Sequence, residues 1–136
     1  MTNNTIKEIA DALKKSNTVL LYPHVGIDGD AVGSCAAIAK MLRMMGKTCY
    51  ALYAEDIPDN LFFMAKDYFT REMDIISDGD LDISIAVDCG GYDRFRDFQD
   101  KFNSWTDIII KRTRICIKCS SNRRKSWLDY QKALNP

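Results

Sequence analysis

His24, Asp28 and Asp30 form an H-x-x-x-D-x-D cluster directly after a short apolar run, and Asp88 follows a second such run. All four are oxygen or imidazole ligands. Hard carboxylates with one imidazole suit manganese or magnesium, whereas a structural zinc favours the thiolates that this cluster lacks. An ion held there can polarise a phosphoryl oxygen and activate water, and a pair of ions can clamp the attacking and leaving groups. Asp28 and Asp30 straddle Gly29, so an extended turn can aim them at different ions. The small residues Ala31-Val-Gly-Ser34 come next, at the start of an expected helix. Its free amides make Gly33 and Ser34 candidates to receive a substrate phosphate. Each residue also has a plainer role: Asp28 and Asp30 as turn or N-cap residues, Asp88 as a turn residue before Gly90-Gly91, His24 as a histidine satisfied by backbone. Their joint placement on one edge of an expected sheet favours the metal reading.

The elements that must position these residues can be read from periodicity. Ile6, Ile9, Ala10 and Leu13 recur at helical spacing within 5–15 and predict one face of a surface helix. Thr18-Val-Leu-Leu-Tyr22 is apolar on both faces, the signature of a strand buried in a parallel sheet, and it ends at Pro23-His24. Ala31 to Met45 predicts a buried helix, apolar nearly all round, stopped by Gly46 in the C′ position. A second strand is expected over 47–53, a turn and short helix over 57–64, a strand over 81–87 that runs into Asp88, and a helix over 92–102. The stretch 66–80 carries no clear period. Strand and helix in alternation predict an α/β fold, a three-layer open, mostly parallel sheet flanked by helices. In such sheets ligands sit beyond the carboxyl ends of the strands, which is where His24 and Asp88 fall.

Composition narrows the function further. The 136 residues, 46% hydrophobic, suffice for one core and no more. Lysine plus arginine equal aspartate plus glutamate at 19 each, so no global field draws the chain to nucleic acid or membrane. No apolar run approaches the roughly 20 residues of a membrane span, and the first residues resemble no secretion signal, so no membrane partner and a cytoplasmic location are expected. Cys35, Cys49 and Cys89 sit in apolar stretches as small hydrophobes, and an odd total of five argues against a disulfide scaffold. Cys116-x-x-Cys119 has no second pair and is assigned no role. His24 is the single histidine, which excludes every mechanism that needs two. Gly26, Gly29 and Gly33 do not give G-x-G-x-x-G spacing, which disfavours a dinucleotide enzyme.

Charge divides the chain at Ser104. Residues 1–104 hold 11 basic and 17 acidic side chains, net −6, whereas 105–136 hold 8 basic and 2 acidic, net +6. Both tryptophans lie in that last part. Its basic run Arg123-Arg-Lys125, near Trp127 and Tyr130, reads as a solvated face more readily than as a single-strand binder. Ile108 to Ile117 can form a strand, and as an exposed edge it would favour aggregation.

Leu20-Leu-Tyr-Pro-His24-Val-Gly-Ile-Asp28-Gly-Asp30-Ala-Val-Gly-Ser34 resembles the first motif of the DHH phosphoesterases, the group of the RecJ exonucleases and the bacterial oligoribonucleases that also dephosphorylate phosphoadenosine phosphate. Ile85-Ala-Val-Asp88-Cys89 resembles their second motif. Gly26-Ile27 stands where Asn-Pro is frequent in that family. The resemblance implies a manganese- (or magnesium-) dependent hydrolase of phosphodiester or phosphomonoester bonds in short oligonucleotides or nucleotides. It implies His24, Asp28, Asp30 and Asp88 as metal ligands, the three aspartates as the catalytic set, and Asp88 as the bridge between two ions. It implies a homodimer for a full-length member.

The resemblance covers about Thr5 to Ser104, so residues 1–104 are expected to be the first half of a DHH domain and 105–136 an atypical basic tail, from truncation or a frameshift. The family's Asp-His-His motif has no counterpart, since Lys118, Cys119 and Ser120 stand in its nearest context. Ligands of a second ion are thereby lost, and little or no turnover is expected from these residues. Two other readings are kept. One is a haloacid-dehalogenase-type phosphatase with Asp28 as nucleophile, although Val32 stands where its serine or threonine is usual. The other is a non-catalytic metal- or nucleotide-binding α/β module.

Overall fold

A computed structural model describes residues 6–77, 79–87 and 115–119. Its described elements are α1 (Ile6–Lys15), β1 (Thr18–Pro23), α2 (Gly29–Met44), β2 (Thr48–Leu52), a 3-10 turn (Asp59–Leu61), α3 (Phe62–Ala65), β3 (Phe69–Thr70), β4 (Ile83–Val87) and β5 (Ile115–Cys119). The strands form one sheet in the order β3-β2-β1-β4-β5. β3, β2, β1 and β4 are parallel, and β5 joins β4 antiparallel at the edge. The fold is α/β with an open, mostly parallel sheet, as the alternation of elements predicts.

β1 is central, and Val19 to Pro23 are all buried, which accounts for its apolar character on both faces. The face bearing Val19, Leu21, Cys49, Ala51, Ile83, Ile85 and Val87 packs against Cys35, Ala39 and Leu42 of α2, with Ile9, Ala12 and Leu13 of α1 at the margin. Leu20, Tyr22, Ser84 and Ala86 are buried as well. The helix expected over 92–102 lies outside the described residues. β5 falls within the basic last quarter of the chain, so at 115–119 that stretch contributes an edge strand to the sheet. The remainder of the expected strand over 108–117 lies outside the described residues.

Two helices differ from their expectation. Ile6 is 86% exposed and takes no part in the buried face of α1; Ala12 packs in its place. α2 buries one stripe, Ala31, Val32, Cys35, Ala39 and Leu42, while Met41 and Met44 are exposed. A helix laid on one face of a sheet turns only part of its circumference to the core, so its methionines add apolar character without adding burial. Its end is as expected: Gly46 has φ +80°, its N–H donates to Arg43 O at 2.9 Å, and Lys47 N–H reaches back to Leu42 O at 3.0 Å. That pair of bonds is the Schellman motif, and the left-handed residue within it favours glycine.

The register between β1 and β4 is set at their amino ends. Asp82 Oδ2 accepts the N–H groups of Asn17 at 2.7 Å and Thr18 at 3.2 Å, and the Asp82 N–H donates to Thr18 Oγ1 at 3.0 Å. The ladder then runs from Val19 beside Ile83 to Pro23 beside Val87. The carboxyl ends of β1 and β4 therefore lie side by side. Since β2 and β3 extend to one side of β1 and β4 lies on the other, this is the switch point where open sheets hold ligands.

Candidate metal centre

His24 leaves β1 at that switch point and is buried. Its Nδ1 lies 2.7 Å from the Val25 carbonyl oxygen. A carbonyl only accepts, so Nδ1 carries a hydrogen and, in the neutral ring, Nε2 presents a lone pair. Nε2 is 3.6 Å from Asp28 Oδ1. Nε2 and the Asp28 carboxylate thus face one another across a gap that a proton on Nε2 or a cation can bridge. The Asp28 side chain is 60% exposed, so the pair is open to solvent on the carboxylate side.

Asp28 also caps α2. Its extended backbone (φ −112°, ψ 179°) lets Oδ1 accept the Ala31 N–H at 2.9 Å, the usual N-cap bond. That bond is the main cause that holds its carboxyl below the ordinary value of 3.8; slight desolvation opposes it, and the nearby His24 lowers it further. The plainer role considered for Asp28 is therefore real. It leaves acceptor capacity over, because each carboxylate oxygen has two lone pairs and Oδ2 takes no part in the cap.

The other expected residues are placed less closely. Asp30 is exposed in the first turn of α2. Asp88 lies outside the described residues, one position beyond Val87. Among the described residues, no group of three or more histidine, cysteine, aspartate or glutamate side chains comes together. Of the expected ligands, the structure unites His24 and Asp28.

α2 begins at Gly29, two residues before the expected start, and this corrects the reading of its amides. Ala31 N–H is spent on Asp28, Val32 N–H donates to Asp28 O at 3.0 Å, and Gly33 and Ser34 lie in the second turn, where amides bond within the helix. Gly33 and Ser34 thus offer no free amides to a phosphate. What Gly33 provides is room: a Cβ placed on it would meet nothing within 4 Å.

Two residues that sequence reasoning passed over brace the loop. Ile27 N–H donates to Tyr53 Oη at 3.0 Å, Tyr53 Oη donates to Glu55 Oε2 at 3.0 Å, and Gly26 N–H donates to the same Oε2 at 3.3 Å. Gly26 has φ +66°, the left-handed turn that presents successive amides to this pair. Tyr53 and Glu55 also border a cavity of about 420 Å³ beyond the ends of β2 and β3, shared with Phe62, Lys66, Phe69 and Arg71. Tyr53 had a local signal only as the end of a strand, and Glu55 had none.

Cys35 and Cys49 are buried, and burial pushes the Cys49 thiol up to about 12, as expected of small hydrophobes; Cys89 lies outside the described residues. Among the described residues no helix is long and apolar enough to cross a membrane. No family model matches the chain, and a search of the curated proteins finds no match.

Proposed function

We propose that this chain is a metal-binding phosphoesterase module of the DHH type, which binds manganese or magnesium at His24 and Asp28 and turns over phosphoesters poorly. The observation that carries the reading is the approach of His24 Nε2 to Asp28 Oδ1 at 3.6 Å, with Nδ1 committed to a backbone carbonyl, at the switch point of the sheet. Ligating histidines are commonly oriented by such a carbonyl. The donors are hard carboxylate oxygens with one borderline imidazole nitrogen and no thiolate, a set that fits manganese or magnesium. Asp30 and Asp88 complete the ligand set in this reading, with Asp88 as the bridge.

When bound, the ion supplies Lewis acidity toward a phosphoryl oxygen. The chain's own residues do the rest. His24 is held in one tautomer by Val25, Asp28 keeps its carboxylate charged and oriented through the Ala31 amide, and the open helix face at Gly33 admits a phosphate with its sugar. With a single histidine in the chain, no second imidazole approaches the scissile bond, so binding outlasts catalysis. The substrate class is short oligonucleotides or nucleotide phosphates. A dehalogenase-type nucleophile is less well supported, because Asp28 lies five residues past the end of β1 and spends Oδ1 on the helix cap.

The test is manganese titration by calorimetry, with hydrolysis of a short oligoribonucleotide and of a nucleotide phosphate followed in parallel. Saturable manganese binding that is lost in Asp28→Asn and Asp88→Asn supports the proposal. Unchanged binding in both variants sinks it, and a trapped phosphoaspartate at Asp28 would replace it with the dehalogenase reading.

A further inference from the structure

We infer that Tyr53 and Glu55 are positioning residues for the His24–Asp28 loop, fixing from the end of β2 the geometry in which the imidazole and the carboxylate meet. The inference rests on the metal reading for its consequence, but the brace itself stands on the hydrogen bonds to Gly26 and Ile27.

The loop between β1 and α2 has four residues between Pro23 and Asp28, and two of their amides, Gly26 and Ile27, are captured from outside the loop. Tyr53 is 26 residues from Ile27 in sequence and only 5% exposed. Its ring is fixed edge-on to Phe69, with centroids 6.2 Å apart. A rigid phenol thus accepts the Ile27 N–H, and its own hydrogen points to Glu55, which closes the chain of bonds at Gly26. Burial is the main cause that raises the Tyr53 phenol above its ordinary value of 10.0, so it keeps the hydrogen it donates. A proline at position 27 would have no N–H to offer, so the bond requires a residue other than proline there. Ile27 is itself buried, against Ala31, Val32, Tyr53 and Ala65. The segment that carries His24 at one end and Asp28 at the other is consequently held by side chain and backbone together.

In this scheme the phenol and carboxylate act through the two amides that lie between His24 and Asp28. Outer partners of this kind typically change metal affinity by about 10–100-fold when removed. The experiment compares the full chain with Tyr53→Phe, Glu55→Ala and Glu55→Gln, reading manganese affinity by electron paramagnetic resonance and amide exchange at Gly26 and Ile27 by NMR. Tyr53→Phe should accelerate exchange at Ile27 and weaken manganese binding by about tenfold. Glu55→Ala should accelerate exchange at Gly26 and weaken binding, whereas Glu55→Gln, whose amide oxygen still accepts both bonds, should restore it to within about twofold. Exchange and affinity unchanged in Tyr53→Phe overturn the inference. If the parent chain binds no manganese, the metal reading fails alone, and the exchange rates still decide the brace: faster in the variants supports it, unchanged overturns it. Should Tyr53→Phe not fold, the contrast between Glu55→Ala and Glu55→Gln decides, and equal behaviour of those two overturns it.

Discussion

Beside each end of β1 stands an aspartate that accepts backbone amides, Asp82 just before β4 and Asp28 at the cap of α2, and the two do different work. At the amino end Asp82 directs one oxygen at two N–H groups, Asn17 and Thr18, and its own N–H returns a bond to Thr18 Oγ1. At the carboxyl end Asp28 directs one oxygen at a single N–H, Ala31, while His24 Nε2 stands 3.6 Å from that same oxygen. The first carboxylate is absorbed by the ladder that it registers. The second keeps acceptor capacity beside an imidazole whose other nitrogen is already committed. An aspartate that accepts backbone amides is thus not functional or structural by type; its remaining lone pairs and their neighbour decide.

The largest expected effect separates the two at the level of metal. Asparagine caps a helix about as well as aspartate, so Asp28→Asn should leave the fold intact while manganese affinity, read by calorimetry, falls more than about a hundredfold, beyond the loss of an outer partner. Retained affinity would reduce Asp28 to a cap. Asp82→Ala should do the reverse. Two amides lose a charged acceptor, and urea unfolding should show a loss of about 2–3 kcal/mol, with manganese affinity of the folded fraction unchanged. A drop in affinity there would mean that strand register, rather than the loop, sets the site.

Smaller effects sharpen the contrast. Asp28→Ala removes the cap as well as the charge and should cost about 1 kcal/mol more than Asp28→Asn in the same unfolding assay. The cap also has a pH signature. Because the folded carboxyl lies below its ordinary value of 3.8, its stabilisation is complete above that value and is lost as the pH falls through the lower, folded value. Acid unfolding of Asp28→Asn should lack this component; an identical acid limb in both proteins would refute it. Last, Cys49, mid-strand in β2 and pushed up to about 12, should resist alkylation at pH 8 in every folded variant, as read by site-resolved mass spectrometry. Labelling of Cys49 in folded Asp28→Asn would overturn this.

The sites of these carboxylates were legible to different degrees. The H-x-x-x-D-x-D spacing marked His24 and Asp28 because both follow a strand closely enough for local sequence to hold them together. The double role of Asp28 was legible too, since a carboxylate before a small-residue run is a recognisable cap. The start of α2 at Gly29 was less so: glycine is a poor helix former, and only the Asp28 cap and the contact of the first turn with Leu61 and Ala65 carry the helix back to it. The exposure of Met41 and Met44 could not be read from their apolar character, because burial depends on which arc of the helix meets the sheet.

By itself the sequence determined α1, β1, α2, β2 and β4 to within a few residues, where α2 stops, and which residue types stand past the ends of β1 and β4, but not the short strand β3. These are properties of periodicity, glycine conformation and composition, all set within a few residues. Only the tertiary structure decided that β4 lies against β1, with Pro23 beside Val87, and that Tyr53 and Glu55 reach the Gly26–Ile27 amides from the end of β2. Strand order and long-range hydrogen bonds are chosen by the packing of the whole sheet, in which partners distant along the chain compete for the same edge, and no local pattern records the outcome.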